Sequence, residues 1–284
     1  MPLLILVSFI WAFSFGLIKG RLAGLDSAFI SAARLGLALL VFLPFLKPRQ
    51  VGPRTAAALT AIGALQFGVM YLAYNESFRY LQAHEIALFT ITTPILVTLF
   101  ADALDRTLRP RALAAASLAV GGAAIIVARR EALAPALLGV ALVQLSNLAF
   151  AIGQVMYQRW RAEHGSVRNR EVFGLLYAGA FLVALVAMLI RGRGAAPSAA
   201  QFVTLAYLGI IASGLAFFLW NVGATRVSAG TLAAMNNAKI PLAVACSLLV
   251  FGEQASLPPL LASLAVMGIA VRLAKPSAIL KPEP

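Results

Sequence analysis

Long uncharged apolar runs constrain this chain more than any other feature of its sequence. Stretches of about 17–25 mostly apolar residues, the length that crosses the hydrocarbon core of a bilayer as a helix, recur throughout the 284 residues. Hydrophobic residues make up 61% of the chain and charged residues only 12%, whereas soluble domains are typically about half apolar and a quarter charged. We therefore predict an all-α integral membrane protein that contacts the lipid bilayer along most of its length.

Clusters of proline, glycine and charged residues separate about ten predicted transmembrane helices. The spans cover roughly residues 2–19, 28–46, 54–76, 85–103, 110–128, 136–158, 172–190, 201–221, 230–250 and 258–273. The first run lacks the basic start and the cleavage site of a signal peptide, so we interpret it as the first span. The single cysteine, Cys246, excludes an intramolecular disulfide.

Basic residues between the spans predict the orientation of the chain. If the amino terminus is cytoplasmic, the cytoplasmic connections hold twice as many lysine and arginine residues as the outer ones. The positive-inside rule then predicts a multi-pass protein of the inner (plasma) membrane with both termini in the cytoplasm. The net charge of +13 does not indicate a nucleic-acid partner, because no aromatic and basic face accompanies it.

Two segments of the sequence follow the same plan and predict an internal repeat. "YNESFRYLQAHEIALFTITTPILVTLFADALD" begins at Tyr74, and "WNVGATRVSAGTLAAMNNAKIPLAVACSLLVFGEQ" begins at Trp220. In each, an aromatic residue and Asn precede an apolar helix with a central proline and a later acidic residue. Because five spans is an odd number, the second half would be inverted, as in many secondary transporters that bind substrate near the midplane. The predicted divisions are residues 1–130 for the first repeat, 131–276 for the second and 277–284 for a cytoplasmic tail.

Three motifs carry a resemblance to a known family. They are "FIWAFSFGLIKG" in the first span, "AARLGLALL" with Arg34 in the second, and "KIPLAVACSLLVFGEQASLPP" from Lys239. These resemble the EamA-like, ten-helix branch of the drug/metabolite transporter superfamily, and most of all its YddG-type exporters of aromatic amino acids. Ala12 stands where a glycine is common, and Asp105 is a weaker match than Glu253 to the acidic position. The resemblance implies a ten-helix transporter fold and indicates amino acids as the substrate.

Lys239 is the main candidate for a substrate-binding residue. A cation at the centre of a bilayer costs about 2.5–3.5 kcal/mol, so it should face a wet cavity or a partner. Asn236 lies on the same helix face, and the amides of Asn236 and Asn237 are predicted to bind substrate as well. Pro241 cannot donate a hydrogen bond to the carbonyl of Asn237, which predicts a kink there. A second kink is predicted at Pro94, the matching position of the fourth span. Alternatively, the lysine would only bond the freed carbonyls.

Other predicted substrate-binding residues share helix faces with polar or aromatic neighbours. The sixth span presents a polar stripe that would either line a wet wall or join helices as interhelical hydrogen bonds. The aromatic candidates would alternatively be packing or interfacial residues. The set comprises Asn147, Gln154, Trp11, Phe15, Tyr74 and Trp220.

Several motifs that would indicate another activity are missing from the sequence. No acidic residue lies deep in a predicted span, which disfavours proton-coupled drug export, and no phosphate-binding loop indicates ATP hydrolysis. No metal-ligand or catalytic set is evident, so we predict no cofactor, no metal and no enzyme activity. The prediction is a secondary transporter that exports aromatic and other apolar amino acids by alternating access, as uncoupled facilitated diffusion.

Two alternatives and one property stay open at this point. A carrier of nucleotide- or sugar-linked anions would need more than one buried cation, and the further candidates, Arg34 and Lys19, lie nearer the ends of their spans. A polytopic membrane enzyme is the alternative from another class. The oligomeric state, monomer or homodimer, is not indicated by the sequence.

Overall fold

Ten long helices make up the structure, a computed structural model that describes residues 2–107, 110–127, 133–191, 196–224 and 229–273. The helices are Pro2–Arg21 (α1), Ser27–Phe45 (α2), Gly52–Ser77 (α3), Ala83–Leu104 (α4), Pro110–Val127 (α5), Leu133–Glu163 (α6), Asn169–Arg191 (α7), Ala199–Ala224 (α8), Ala229–Leu249 (α9) and Leu257–Leu273 (α10). No β-strand occurs among the described residues. The predicted all-α, multi-span membrane fold is confirmed.

The observed helices follow the predicted spans closely. Seven of them, α1–α4 and α6–α8, are long and apolar enough to cross a membrane, and α9 and α10 contain shorter apolar segments. The largest difference is at α6, which continues to Glu163 instead of ending near residue 158. Its last turns are polar and basic, and the apolar pattern used for the prediction stops before them. Helix α6 therefore extends beyond the apolar stretch that spans the membrane.

Local polar side chains define where several helices begin. The Asp26 carboxylate accepts hydrogen bonds from the N–H groups of Ala28 and Phe29 at 2.9 and 3.3 Å, and α2 starts there. Gln82 and Glu85 form a capping box at the start of α4. Such caps satisfy N–H groups that have no partner inside the helix. They fix the register of α2 and α4, both of which contribute to the cavity described below.

Three helices change their hydrogen-bonding pattern near the middle of the bundle. Helices α3 and α8 contain π-helical segments, Ala64–Val69 and Tyr207–Leu215. Helix α4 contains a 3₁₀ turn, Thr90–Thr92, immediately before Pro94 enters its next α-helical segment. By contrast, α9 is a continuous α-helix through Pro241. Such irregular segments reorient side chains and carbonyls, and they are frequent at functional sites.

Helices α3 and α7 pack with their backbones in direct contact. A Cβ atom added to Gly63 would lie 2.0 Å from the carbonyl oxygen of Leu176, and one added to Gly179 would lie 1.9 Å from that of Thr60. Small residues at helix interfaces permit this approach in membrane proteins. The contact sets the position of α3, whose following turns line the cavity.

Adding a single methyl group at this contact should force α3 and α7 apart. We expect Gly179→Ala to destabilise the protein by about 1–3 kcal/mol, the usual cost of overpacking, measured as a lower thermal unfolding temperature in detergent. The matched control is Gly268→Ala in α10, because a Cβ atom there meets nothing within 4 Å. Equal unfolding temperatures for the two variants would contradict the close α3–α7 contact.

Candidate functional site

A cavity of about 600 Å³, counting the part that opens to solvent, lies among seven helices, α1–α4, α6, α8 and α9. Aromatic and apolar side chains form most of its wall. The residues that line it are Trp11, Ser14, Phe15, Arg34, Met70, Tyr71, Tyr74, Thr90, Thr93, Ser146, Asn147, Phe150, Phe217 and Lys239. Two of these are cations, and none of the described lining residues is acidic. Apolar walls with a few convergent polar groups are typical of small-molecule sites.

The cavity brings together five of the nine predicted substrate-binding residues: Trp11, Phe15, Tyr74, Asn147 and Lys239. A sixth, Trp220, is buried behind the wall with its ring 5.2 Å from that of Trp11, centre to centre. Gln154 is buried in α6 and does not line the cavity. The side chains of Asn236 and Asn237 lie outside the described part of the structure.

Lys239 contacts the faces of two tryptophan rings. Its ammonium nitrogen lies 4.7 Å from the ring centre of Trp11 and 6.0 Å from that of Trp220. A cation over an aromatic face is attracted by the ring quadrupole, more strongly where water is excluded. The Trp11 indole N–H donates to the carbonyl of Ala212 at 3.0 Å, within the π-helical segment of α8. Helix α8 therefore fixes the ring that supports the lysine.

Arg34 is the second cation of the cavity, and its side chain is held by three hydrogen bonds. Its Nε donates to the Ser213 hydroxyl at 3.1 Å, Nη1 to the side-chain amide oxygen of Asn75 at 3.3 Å, and Nη2 to the Tyr71 hydroxyl at 3.1 Å. The guanidinium also lies over the Tyr71 ring at 4.3 Å. Arg34 is only 3% exposed. Arg34, one of the two further candidates for a buried cation, therefore lines the cavity.

Several further lining residues lie outside the predicted substrate-binding set. Thr90 and Thr93 flank the 3₁₀ turn of α4, and Ser146 adjoins the predicted Asn147. Two more, Phe150 and Phe217, pack against each other with ring centres 5.8 Å apart. Their positions depend on how neighbouring helices rotate against one another. The proline in "TITTP" is the one local signal that marks the threonines, because it breaks the helix beside them.

Asn147 joins α6 to the irregular turn of α4. Its amide nitrogen donates to the carbonyl of Phe89 and to the Thr92 hydroxyl, both at 3.0 Å. Gln144 accepts a hydrogen bond from the same hydroxyl at 2.7 Å. These bonds are interhelical contacts, which satisfy backbone groups that the turn leaves without helical partners. They use both N–H groups of Asn147, so its carbonyl oxygen is the group it can offer to a ligand.

Two sets of contacts join elements distant in the sequence, α1 to the segment after α3 and the loop after α9 to the start of α4. The Lys19 ammonium donates to the carbonyls of Phe78 and Leu81 at 2.7 and 2.9 Å, one turn beyond Phe15. In the loop after α9, Glu253 accepts hydrogen bonds from the N–H groups of Ala83 and His84 at 2.8 and 3.1 Å. The carboxylate thus caps the start of α4 across the bundle.

Glu253 is held as a carboxylate by this cap. Partial burial alone would raise its pKa, but hydrogen bonds from the His84 ring, the Ala83 N–H, the Ser247 hydroxyl and the His84 N–H lower the pKa to about 2. In the unfolded chain the pKa of a glutamate is about 4.3. Because the folded-state pKa is the lower one, the cap stabilises the fold above about pH 4.3 and loses this effect as the pH falls toward 2.

Replacing this carboxylate should therefore have a pH-dependent effect. We expect Glu253→Gln to lower the thermal unfolding temperature at pH 7, and the difference from wild type to narrow steadily below about pH 4. Unfolding in detergent across this pH range measures it. Glu163→Gln, at the exposed end of α6, is the matched control. A difference that stays constant with pH would show that Glu253 does not act through its charge.

The chain resembles a known protein family in sequence and a solved protein in structure. The sequence matches the EamA-like transporter family over residues 1–128 and 137–273. A solved crystal structure of a protein with 18% identity superposes with a TM-score of 0.65, covering 95% of this chain and 96% of that one. At this identity the superposition supports the fold alone.

Curated relatives cover nearly the whole length. The chain is 44% identical over 265 residues to a protein of Pseudomonas aeruginosa named probable biotin transporter, covering 92% of each chain. It is 41% identical over 272 residues to the biotin transporter of Salmonella typhimurium, covering 94% of this chain and 90% of the relative. The biotin transporter of Escherichia coli is 41% identical over 263 residues, covering 91% and 87%.

Proposed function

We propose that this chain, which belongs to the EamA-like transporter family, carries biotin across the inner membrane of a bacterium. The observation that carries the proposal is the 41–44% identity to proteins named as biotin transporters or probable biotin transporters. These similarities span about nine-tenths of the chains compared. As a membrane transporter, the protein needs a site that holds a small molecule and releases it on the other side.

The chemistry of the cavity supports this substrate. Biotin has a carboxylate at the end of an aliphatic chain, and a neutral cyclic urea fused to an apolar tetrahydrothiophene ring. The described lining offers two cations, Arg34 and Lys239, with no acidic residue among them. The side-chain carbonyl oxygen of Asn147 can accept a hydrogen bond from a urea N–H. Aromatic rings such as those of Phe15 and Tyr74 can contact the apolar ring and the aliphatic chain of biotin. Each part of biotin therefore has a complementary group.

Export of aromatic amino acids is the second candidate, and the aromatic wall favours it. An amino acid also brings an ammonium group, which binds best to a carboxylate or to several converging acceptors. The described lining offers it neutral acceptors, such as Asn147 and Thr93, beside two cations that repel it. A carrier of nucleotide- or sugar-linked anions would be compatible with the two cations. The names of the relatives favour biotin over both.

Transport would proceed by alternating access between two halves, residues 1–130 and 131–276, followed by the tail 277–284. The match of the family to two separate stretches supports this division. Glu253 and Lys19 would close the cavity toward the outer surface, with both termini in the cytoplasm, and these contacts would break when that side opens. Because no acidic residue lines the described cavity, we propose uncoupled transport down the biotin gradient.

Counterflow in proteoliposomes tests the substrate. We expect vesicles loaded with unlabelled biotin to take up radiolabelled biotin, and Lys239→Ala to reduce the initial rate about tenfold or more, because hydrogen bonds to a charged group contribute about 1.5–3 kcal/mol. Lys47→Ala, which removes a half-exposed lysine paired with Glu171, should match wild type. Counterflow of phenylalanine or tryptophan without counterflow of biotin would favour the second candidate.

An imposed pH gradient tests the absence of coupling. With equal biotin concentrations inside and outside the vesicles, we expect no net biotin movement when a pH gradient of either sign is applied. A protonophore should likewise leave the counterflow rate unchanged. Accumulation of biotin driven by the pH gradient would contradict uncoupled transport while leaving the substrate assignment intact.

A further inference from the structure

We propose that Arg34 is the residue that binds the carboxylate of the substrate, and that the cavity therefore selects organic acids that carry no positive charge. The inference deepens the proposed function, on which its use of biotin rests. Tyr71, Asn75 and Ser213 act as positioning residues that hold the guanidinium in one orientation. Lys239 then binds a neutral acceptor of the substrate, such as a urea oxygen, at the Trp11 side of the cavity.

The hydrogen-bond count of Arg34 leaves donors for a ligand. A guanidinium has five N–H donors, and the three bonds to Ser213, Asn75 and Tyr71 use one each on Nε, Nη1 and Nη2. One N–H on each terminal nitrogen is left. Two parallel donors are the arrangement that binds a carboxylate through both oxygens. Because Arg34 lines the cavity, these donors are within reach of a bound molecule.

The charge of Arg34 also calls for an anion. Its hydrogen-bond partners within the described chain are two hydroxyls and an amide, all uncharged. A buried cation without a countercharge is costly, and pairing with an anion offsets much of this cost. A substrate carboxylate would supply the missing charge each time it binds. The positively charged, empty cavity would conversely disfavour an ammonium group.

The partners of Arg34 are themselves fixed by further hydrogen bonds. The Tyr71 hydroxyl donates to Ser213 Oγ at 2.8 Å, and the Asn75 amide nitrogen donates to Ser31 Oγ at 2.8 Å. Tyr177 donates to the backbone carbonyl of Ser213 in the π-helical segment. These bonds link α2, α3, α7 and α8 around the guanidinium. A guanidinium that is already held in one orientation loses little conformational freedom when a carboxylate binds, which strengthens binding.

Lys239 is a less suitable carboxylate partner. Its ammonium lies over the Trp11 and Trp220 rings, and those contacts already offset part of its charge. An ammonium is a point charge without the planar fork that matches a carboxylate. Its position suits one strong hydrogen bond to a carbonyl oxygen. The two cations therefore bind different parts of the substrate.

Calorimetry on the purified protein in detergent tests the assignment with matched ligand pairs. The first pair is biotin and its neutral carboxamide, and the second is indole-3-propionate and tryptophan, which differ by one ammonium group. We expect wild type to bind biotin about 10- to 100-fold tighter than the amide, and indole-3-propionate tighter than tryptophan. In Arg34→Gln the ratio of the affinity for biotin to the affinity for its amide should fall to about one.

Matched variants separate binding of the carboxylate from a structural role. Lys239→Gln should weaken the binding of biotin and of its amide alike and keep the ratio of the two affinities. Arg49 is exposed, so Arg49→Gln should bind both ligands as wild type does. Arg34→Lys should keep part of the ratio. If Arg34→Gln does not fold, Ser213→Ala, which removes the Nε partner, should lower the ratio in its place.

The outcomes distinguish this inference from the proposed function. If indole-3-propionate binds in an Arg34-dependent way and biotin does not bind, the proposed substrate is wrong and the role of Arg34 stands. If the ratio between acid and amide survives Arg34→Gln, or is lost in Lys239→Gln, the role of Arg34 is overturned. Wild type that binds no acid of the panel better than its neutral or zwitterionic counterpart would also overturn it.

Discussion

The inside of this bundle depends on one constraint, which is that a polar group placed there is costly unless it finds a partner within the protein. Hydrocarbon offers no hydrogen bonds, so an unsatisfied group costs several kcal/mol. The described structure meets this demand around Arg34, whose three nitrogens bond to Tyr71, Asn75 and Ser213. It meets the demand again at the turn of α4, where Asn147 takes up the carbonyl of Phe89. The two cations Arg34 and Lys239 both line the cavity.

The irregular segments explain how a bundle of apolar helices can hold a polar cavity. The π-helical segment Tyr207–Leu215 presents carbonyls to Trp11 and Tyr177 and places Ser213 beside Arg34. The 3₁₀ turn Thr90–Thr92 places the Thr92 hydroxyl and the preceding Phe89 carbonyl beside α6. Both segments interrupt regular helices at positions that line or support the cavity. A regular helix would direct these groups into its own hydrogen bonds, leaving fewer for side chains and substrate.

The fold could be predicted from the sequence because length and hydropathy alone define a transmembrane helix. Lys239 could be predicted because a charge is rare in an apolar run. Trp11 could be predicted because it is an aromatic residue that shares a helix face with polar residues. Arg34 was considered only as a further buried cation, because its partners come from α3 and α8, whose rotations the sequence period does not give. Gln154 shares the face of Asn147, but seven residues place it about 10 Å further along α6, beyond the cavity. The choice of biotin over amino acids rests on the names of the relatives, which no sequence pattern contains. The two cations that support it come together only once the helices are assembled.

The central claim is that biotin binds among these helices with its carboxylate on Arg34, and a structure of the protein with bound biotin tests it most directly. We expect both carboxylate oxygens at about 2.7–2.9 Å from Nη1 and Nη2, with the tetrahydrothiophene ring against Phe15 and Tyr74 and the urea group toward Asn147 and Lys239. Biotin bound with its carboxylate on Lys239, or at a site that excludes both cations, would contradict the account.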